Sequence, residues 1–238
     1  MTARWLPLES NPAVMNKLLQ EVGVPSCWAF EDVIGLDEEL LAMVPQPVRA
    51  LLLLFPLSDK EEEFRSQQEQ GIEAAGQDLS KTVYFMKQYV GNACGTVALI
   101  HAVANNLKHI TLNEGPVKEF IELSKDKSPE ERGHALEDFV GIADAHDKLA
   151  NEGQTATPGK DDKIEQHFIT LINIDGTLYE LDGRKKFPIN HGTTTEESFL
   201  VDSANVCRLF MDRNPNENRF AVMALTKVQT ELEYDVTS

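Results

Sequence analysis

A chain of 238 residues with 42% hydrophobic content is long enough for one well-filled core, and its longest apolar runs, Ala50 to Phe55 and Val97 to Ile100, fall far short of a bilayer span. Lys plus Arg number 22 against 39 for Asp plus Glu, a formal charge of -17, which opposes nucleic-acid and anionic-lipid binding and favours a partner with a basic face. Three scattered cysteines offer neither a disulfide framework nor a zinc pair, and the first residues lack a signal-peptide core, so a soluble, cytoplasmic, monomeric, single-domain chain, also compatible with the nucleus, is expected.

In chain order, Asn11-Pro12 reads as an N-cap with proline in the first turn, opening a helix that carries Val14, Met15, Leu18, Leu19 and Val22 on one face and ends at Gly23. A short helix is expected over Asp37 to Met43. The continuous apolar run Arg49 to Phe55, closed by Pro56, is expected as a strand buried on both faces. Residues 58–80 are polar and charged and read as solvated loop or exposed helix. Thr82 to Met86 reads as a short strand, Gly91-Asn92 as a turn, and Cys94 to Asn105 as an apolar helix with Cys94 at its start. Ser128-Pro129-Glu130-Glu131 is a capping-box pattern opening one helix that frays near Leu149, and Asn151 to Asp162 reads as a mobile loop. His167 to Asp182 around Asp175-Gly176 reads as a hairpin, followed by a helix over Glu196 to Met211 and a strand over Arg219 to Leu225. Interleaved strands and helices point to an α/β fold, α+β by some schemes, and the tail Leu232 to Ser238 is expected to be disordered.

The hairpin gives a testable geometry. With Asp175-Gly176 as the two turn residues, Ile174 faces Thr177 and Asp182 faces Ile169, which puts His167 on the same face as Asp182, with Cβ atoms roughly 7–8 Å apart or less. A carboxylate on one imidazole nitrogen leaves the other free to take a thiol proton. Cys94 supplies the thiol at a helix N-terminus, where partial positive charge favours a thiolate, and Gln88 precedes it as a second donor to an oxyanion. Taken singly none of these is specific, since a cysteine on an apolar helix is usually a core residue and a His near an Asp is usually structural. His101 reads as a satisfied interior histidine, His109, His134 and His146 as surface residues, and Cys27 and Cys207 as inert core thiols; no role is assigned to His191.

Gln88-Tyr-Val-Gly-Asn-Ala-Cys-Gly-Thr96, with His167 and Leu181-Asp182-Gly183-Arg184 downstream, resembles the active-site motifs of the ubiquitin C-terminal hydrolase family, peptidase C12. Arg4 to Glu9, Leu52 to Pro56, Val83 to Gln88, Ser128 to Arg132 and Phe187 to Gly192 are likewise similar to its short members, especially the L3-type isozyme. The resemblance implies a papain-like cysteine protease fold with a central antiparallel-rich sheet between helical layers, a knotted backbone and no metal or organic cofactor. It also implies one catalytic domain over residues 1–226, a flexible tail over 227–238, and a crossover loop at Asn151 to Lys163 that passes over the cleft. The implied activity is thiol-dependent deubiquitination, with Gln88, Cys94, His167 and Asp182 catalytic. The implied ubiquitin contacts are Leu6, Pro7, Leu8, Glu9, Asp32 and Glu217, whereas Ala13 stands where some relatives have a carboxylate. Two alternatives accompany this reading: a non-catalytic protein that binds and buffers ubiquitin, and a hydrolase that prefers NEDD8.

Overall fold

A computed structural model describes residues 4–150, 152, 159 and 164–228. Its centre is a six-stranded antiparallel sheet in the order β1-β6-β2-β3-β4-β5, formed by β1 (Trp28–Asp32), β2 (Val48–Pro56), β3 (Gln166–Ile174), β4 (Thr177–Leu181), β5 (Ile189–Thr193) and β6 (Ala221–Lys227). The apolar run in β2 is explained by its central place. Ala50, Leu52 and Leu54 point into one core cluster and Leu51, Leu53 and Phe55 into another, on opposite faces of the sheet as side-chain alternation requires.

The larger cluster is covered by α1 (Pro12–Glu21), α4 (Cys94–Ala104), α5 (Pro116–Ser124), α6 (Pro129–Glu137) and α7 (Val140–Ala150). The smaller one lies under α2 (Glu38–Leu41) and α8 (Phe199–Arg213). This is the expected α/β architecture, with helical layers on both faces of the sheet. The remaining helix, α3 (Asp59–Ala75), is largely exposed, but buries Glu61 and Glu69 toward the body of the molecule. Asn11 caps α1 by accepting from Ala13 N at 2.9 Å, and Ser128 and Glu131 form the capping box that opens α6.

The hairpin forms in the expected register, with Ile174 opposite Thr177 and Thr170 opposite Leu181. Asp175 and Gly176 both take positive φ, 53° and 77°, as a two-residue turn matched to strand twist demands.

Several expectations are corrected. Thr82 to Met86 forms no strand, because side chains of α4, its C-cap residue Asn105 and α6 satisfy its backbone. Asn105 Oδ1 accepts from Tyr84 N at 2.7 Å, His101 Nε2 accepts from Met86 N at 3.0 Å, and Arg132 Nη1 donates to Phe85 O at 2.9 Å. The helix expected after Ser128 is two helices, interrupted at Asp138-Phe139. Edge strands β1 and β5 and helix α5 were not read from the sequence at all. His146 is fully buried, His109 is half-buried, and Cys27 is only partly buried, whereas Cys207 is a buried thiol pushed up to about 12 by its burial. The crossover loop falls almost wholly, and the tail from 229 entirely, outside the described residues. Among those described, no helix is long and apolar enough to cross a membrane.

Candidate active site

Helix α4 begins at Cys94 with no side-chain cap, so its first-turn N–H groups are left for whatever occupies the space in front of it. The sheet brings His167, near the start of β3, to the same place, and the hairpin carries Asp182 back beside it. His167 Nε2 meets Asp182 Oδ1 at 2.6 Å, and the imidazole also hydrogen-bonds the Cys94 thiol. Asp182 further accepts from Arg184 N at 2.8 Å, which fixes the carboxylate. The Phe55 ring stands edge-on to the imidazole, with centroids 5.8 Å apart.

The electrostatics follow from this line of groups. Burial disfavours the charged imidazole, but the Asp182 carboxylate and the sulfur outweigh it and raise His167 to about 9. Burial likewise opposes ionisation of Cys94, and the hydrogen bond and charge of His167, with backbone hydrogen bonds from Phe168 and Gly95, bring the thiol below its ordinary value. Asp182 is held well below the carboxylate range: desolvation works against ionisation, and His167, Lys185 and Arg184 N overcome it. A thiolate facing an imidazolium is the arrangement this favours.

Gln88 lies beside the same space, on the extended segment wedged between α4, α6 and the turn after β4. Its backbone N–H donates to Gly183 O at 2.9 Å, and Gly183 is where a side chain would collide, since an added Cβ would lie 2.9 Å from Gln88 Cβ. Gly133 of α6 leaves similar room for Lys87 O, which would be 2.3 Å from a Cβ there. The Gln88 side chain donates through Nε2 to Val90 O at 3.1 Å, and its buried Oε1 has no hydrogen-bond partner among the described residues. One N–H of the amide remains uncommitted by that bond.

A cleft of about 640 Å³ opens over these groups, and Pro7, Leu8 and Glu9 line it together with Gln88, Cys94 and His167. Ala150 and Ile164, which flank the expected crossover, also line it. The structure therefore brings together the four residues singled out for chemistry with three of the six expected contact residues. The other three lie elsewhere. Leu6 packs against the larger core, Asp32 is exposed at the end of β1, and Glu217 turns its carboxylate onto Arg219, which lines the cleft in its place; Arg219 Nη2 donates to Glu217 Oε2 at 2.6 Å and, with backbone N–H groups, holds Glu217 down to about 2. Among the described residues no cluster of His, Cys, Asp and Glu is arranged to hold a metal.

Two residues were missed as supports. His146 of α7 hydrogen-bonds Thr96 Oγ1 at 2.8 Å and Leu6 O at 2.6 Å while its ring lies 4.6 Å from that of Trp5, so it pins the N-terminal segment to α4. Its place after Ile142 and Ala145 and before Leu149, on one helical face, was the overlooked signal. Asn92, at φ 63°, donates to Trp5 O at 3.0 Å, and Trp5 N donates to Gly91 O at 2.9 Å, fastening the same segment to the turn before Cys94.

The model of the family described as ubiquitin carboxyl-terminal hydrolase, family 1, matches residues 5–212. Curated relatives include a ubiquitin carboxyl-terminal hydrolase of Drosophila melanogaster, 48% identical over 225 residues and covering 94% of this chain and 98% of its own. The isozyme L1 of Rattus norvegicus is 50% identical over 222 residues, covering 93% and 97%, and that of Homo sapiens is 49% identical over the same length. Among solved structures, the catalytic domain of Trichinella spiralis UCH37, bound to ubiquitin vinyl methyl ester, is similar with a TM-score of 0.73 at 23% identity, covering 95% of this chain and 97% of that one, a likeness that bears on fold alone. With a matching family model over most of its length and half-identical relatives over nearly all of it, this chain belongs to the ubiquitin carboxyl-terminal hydrolase family.

Proposed function

We propose that the protein is a thiol hydrolase that releases small adducts or flexible peptide tails from the C-terminal glycine of ubiquitin. The Cys94 thiolate attacks the glycine carbonyl carbon, and the carbonyl electron pair moves onto oxygen. The Cys94 N–H and the free N–H of the Gln88 amide hold that oxyanion, each worth about 3 kcal/mol of transition-state stabilisation. The C–N bond then breaks as the His167 imidazolium gives its proton to the leaving amine, leaving a thioester. Neutral His167 next takes a proton from water, the resulting hydroxide adds to the thioester carbonyl, and the Cys94 thiolate departs with the acid released. Asp182 fixes the imidazole and stabilises its charge throughout.

The carrying observation is His167 held by Asp182 at 2.6 Å and lining one cleft with Cys94, whose thiol is lowered by that imidazole. It favours catalysis over passive buffering of ubiquitin, for which an activated thiol has no use. Pro7, Leu8 and Glu9 would receive the substrate tail, while Leu6, Asp32 and Glu217 would act further out, the acidic ones by steering basic residues of the partner. The chain to about residue 226 serves as a single catalytic domain, with 227–238 as a C-terminal tail. The names of the relatives favour ubiquitin over NEDD8, and initial rates on the two modifiers should differ in that direction. A monomer in the cytoplasm or nucleus fits three unpaired thiols.

The test is steady-state hydrolysis of a fluorogenic amide of the ubiquitin C-terminus. Wild type should turn it over, and Cys94→Ser should lose turnover while still binding ubiquitin; a wild-type rate in that variant would refute the assignment.

A further inference from the structure

Two charged side chains that the proposed chemistry does not use lie buried close to Asp182. Glu180 of β4 is 1% exposed and Lys185, in the turn that follows, 4%. The Lys185 ammonium donates to Glu180 Oε1 and, at 2.8 Å, to Gln68 Oε1 of α3. The second oxygen of Glu180 meets His191 Nε2 of β5 at 2.9 Å. Dehydrating such a pair is unfavourable and is repaid only by good geometry and additional hydrogen bonds, so a buried ion pair is poor evidence of stabilisation and invites another explanation.

The backbone of Lys185 supplies one. Its N–H donates to Asp182 O at 2.9 Å and closes a turn, and its carbonyl accepts from the ammonium of Lys87, the neighbour of Gln88. Within the same turn, Gly183 O accepts from Gln88 N at 2.9 Å. One short turn therefore delivers the Asp182 carboxylate to His167 and fixes the backbone of Gln88. The Lys185 side chain ties that turn back to the sheet through Glu180 and across to α3 through Gln68.

We propose that Lys185 is a positioning residue: its buried bonds to Glu180 and Gln68 lock the 182–185 turn, so that Asp182 stays against His167 and Gln88 stays beside Cys94. The proposal rests on the hydrolase reading above. His167 is faced by Asp182 from the turn, Cys94 from α4 and the Phe55 ring from β2, while the charges of Arg65, Arg184 and Lys87 surround the turn itself. Arg65 and Arg184 also tie the turn to α3, Arg65 Nη1 donating to Arg184 O at 3.2 Å and Arg184 Nη2 to Glu62 Oε1 at 2.5 Å, but the bond that runs from the turn back to Glu180 on the sheet is made by Lys185. With the turn loosened, the His167 imidazolium loses its closest counter-charge and gives up its proton at lower pH.

The experiment compares wild type, Lys185→Met and the double variant Glu180→Gln/Lys185→Met, in which no carboxylate is left unpaired, by ubiquitin-amide kinetics and by NMR titration of the His167 imidazole. In both variants kcat should fall by about tenfold or more with KM changed by less than about twofold, as a misplaced catalytic group produces. The alkaline limb of the kcat/KM profile and the His167 titration should both move to lower pH. The double variant should melt near wild type yet keep the kinetic defect. Wild-type kcat with an unmoved His167 titration in folded variant would overturn the proposal, as would a lower melting temperature with unchanged turnover per folded molecule. If wild type itself fails to cleave the amide, the hydrolase reading falls, and the titration alone still decides whether Lys185 holds Asp182 against His167.

Discussion

Cys94 and His167 shift in opposite directions, the thiol down and the imidazole up to about 9, because each is the other's counter-charge and Asp182 adds to the imidazolium side. The reactive pair then exists over a window of pH. We expect kcat/KM to rise as Cys94 loses its proton below the ordinary thiol value, and to fall as His167 loses its own near 9, the two limbs belonging to the coupled pair. Asp182→Asn removes the charge that raises His167, so its alkaline limb should move down in pH and kcat should drop roughly 10²- to 10⁴-fold, while the fold survives the near-isosteric change. A pH profile of the variant checks both; an unmoved limb and an unchanged rate would take Asp182 out of the site. The meeting of His167 with Asp182 was legible because an Asp-Gly turn sets the register of everything beyond it. The pairing of Glu217 with Arg219, only two residues away, was not legible, because residue type alone does not say which partner claims a surface carboxylate.

At the scale of elements, α4 does two jobs, starting at Cys94 and, further along, using His101 and Asn105 to hold the segment that leads to Gln88. That segment was misread as a strand since its residue types suit one, and only tertiary side-chain partners, invisible to local pattern, decide otherwise. The amphipathic helix α1 and the doubly buried β2 were legible because periodicity and burial are local properties, whereas β1 and β5 are short edge strands with mixed composition. The N-terminal segment lining the cleft depends on His146. His146→Leu leaves Leu6 O and Thr96 Oγ1 without partners, at a cost of about 1–3 kcal/mol, and should raise KM for ubiquitin substrates more than it lowers kcat. Thermal melting and steady-state kinetics together test this, and an unchanged KM in a folded variant would show that the segment needs no such anchor.

The described residues form one sheet between two helical layers, with the site where a helix start, a strand start and a hairpin end converge. The fold class was readable from alternating elements, but the order of the strands was not, because β6 inserts between β1 and β2 from the far end of the chain. Buried charge makes the assembly acid-sensitive. Desolvation opposes ionised Glu180, yet Lys185 and His191 bring it from 4.5 to about 2, so its contribution is complete above about 4.5 and is lost as pH falls toward 2. Glu180→Gln should flatten this part of the stability profile measured by urea unfolding between those two pH values.

The most direct measurement is covalent capture. Incubated with ubiquitin whose C-terminus carries an electrophile, the protein should form a one-to-one adduct that peptide mapping places on Cys94, with Cys27 and Cys207 unmodified and with Cys94→Ser giving none. An adduct on another cysteine, or none with the folded wild type, would contradict the account.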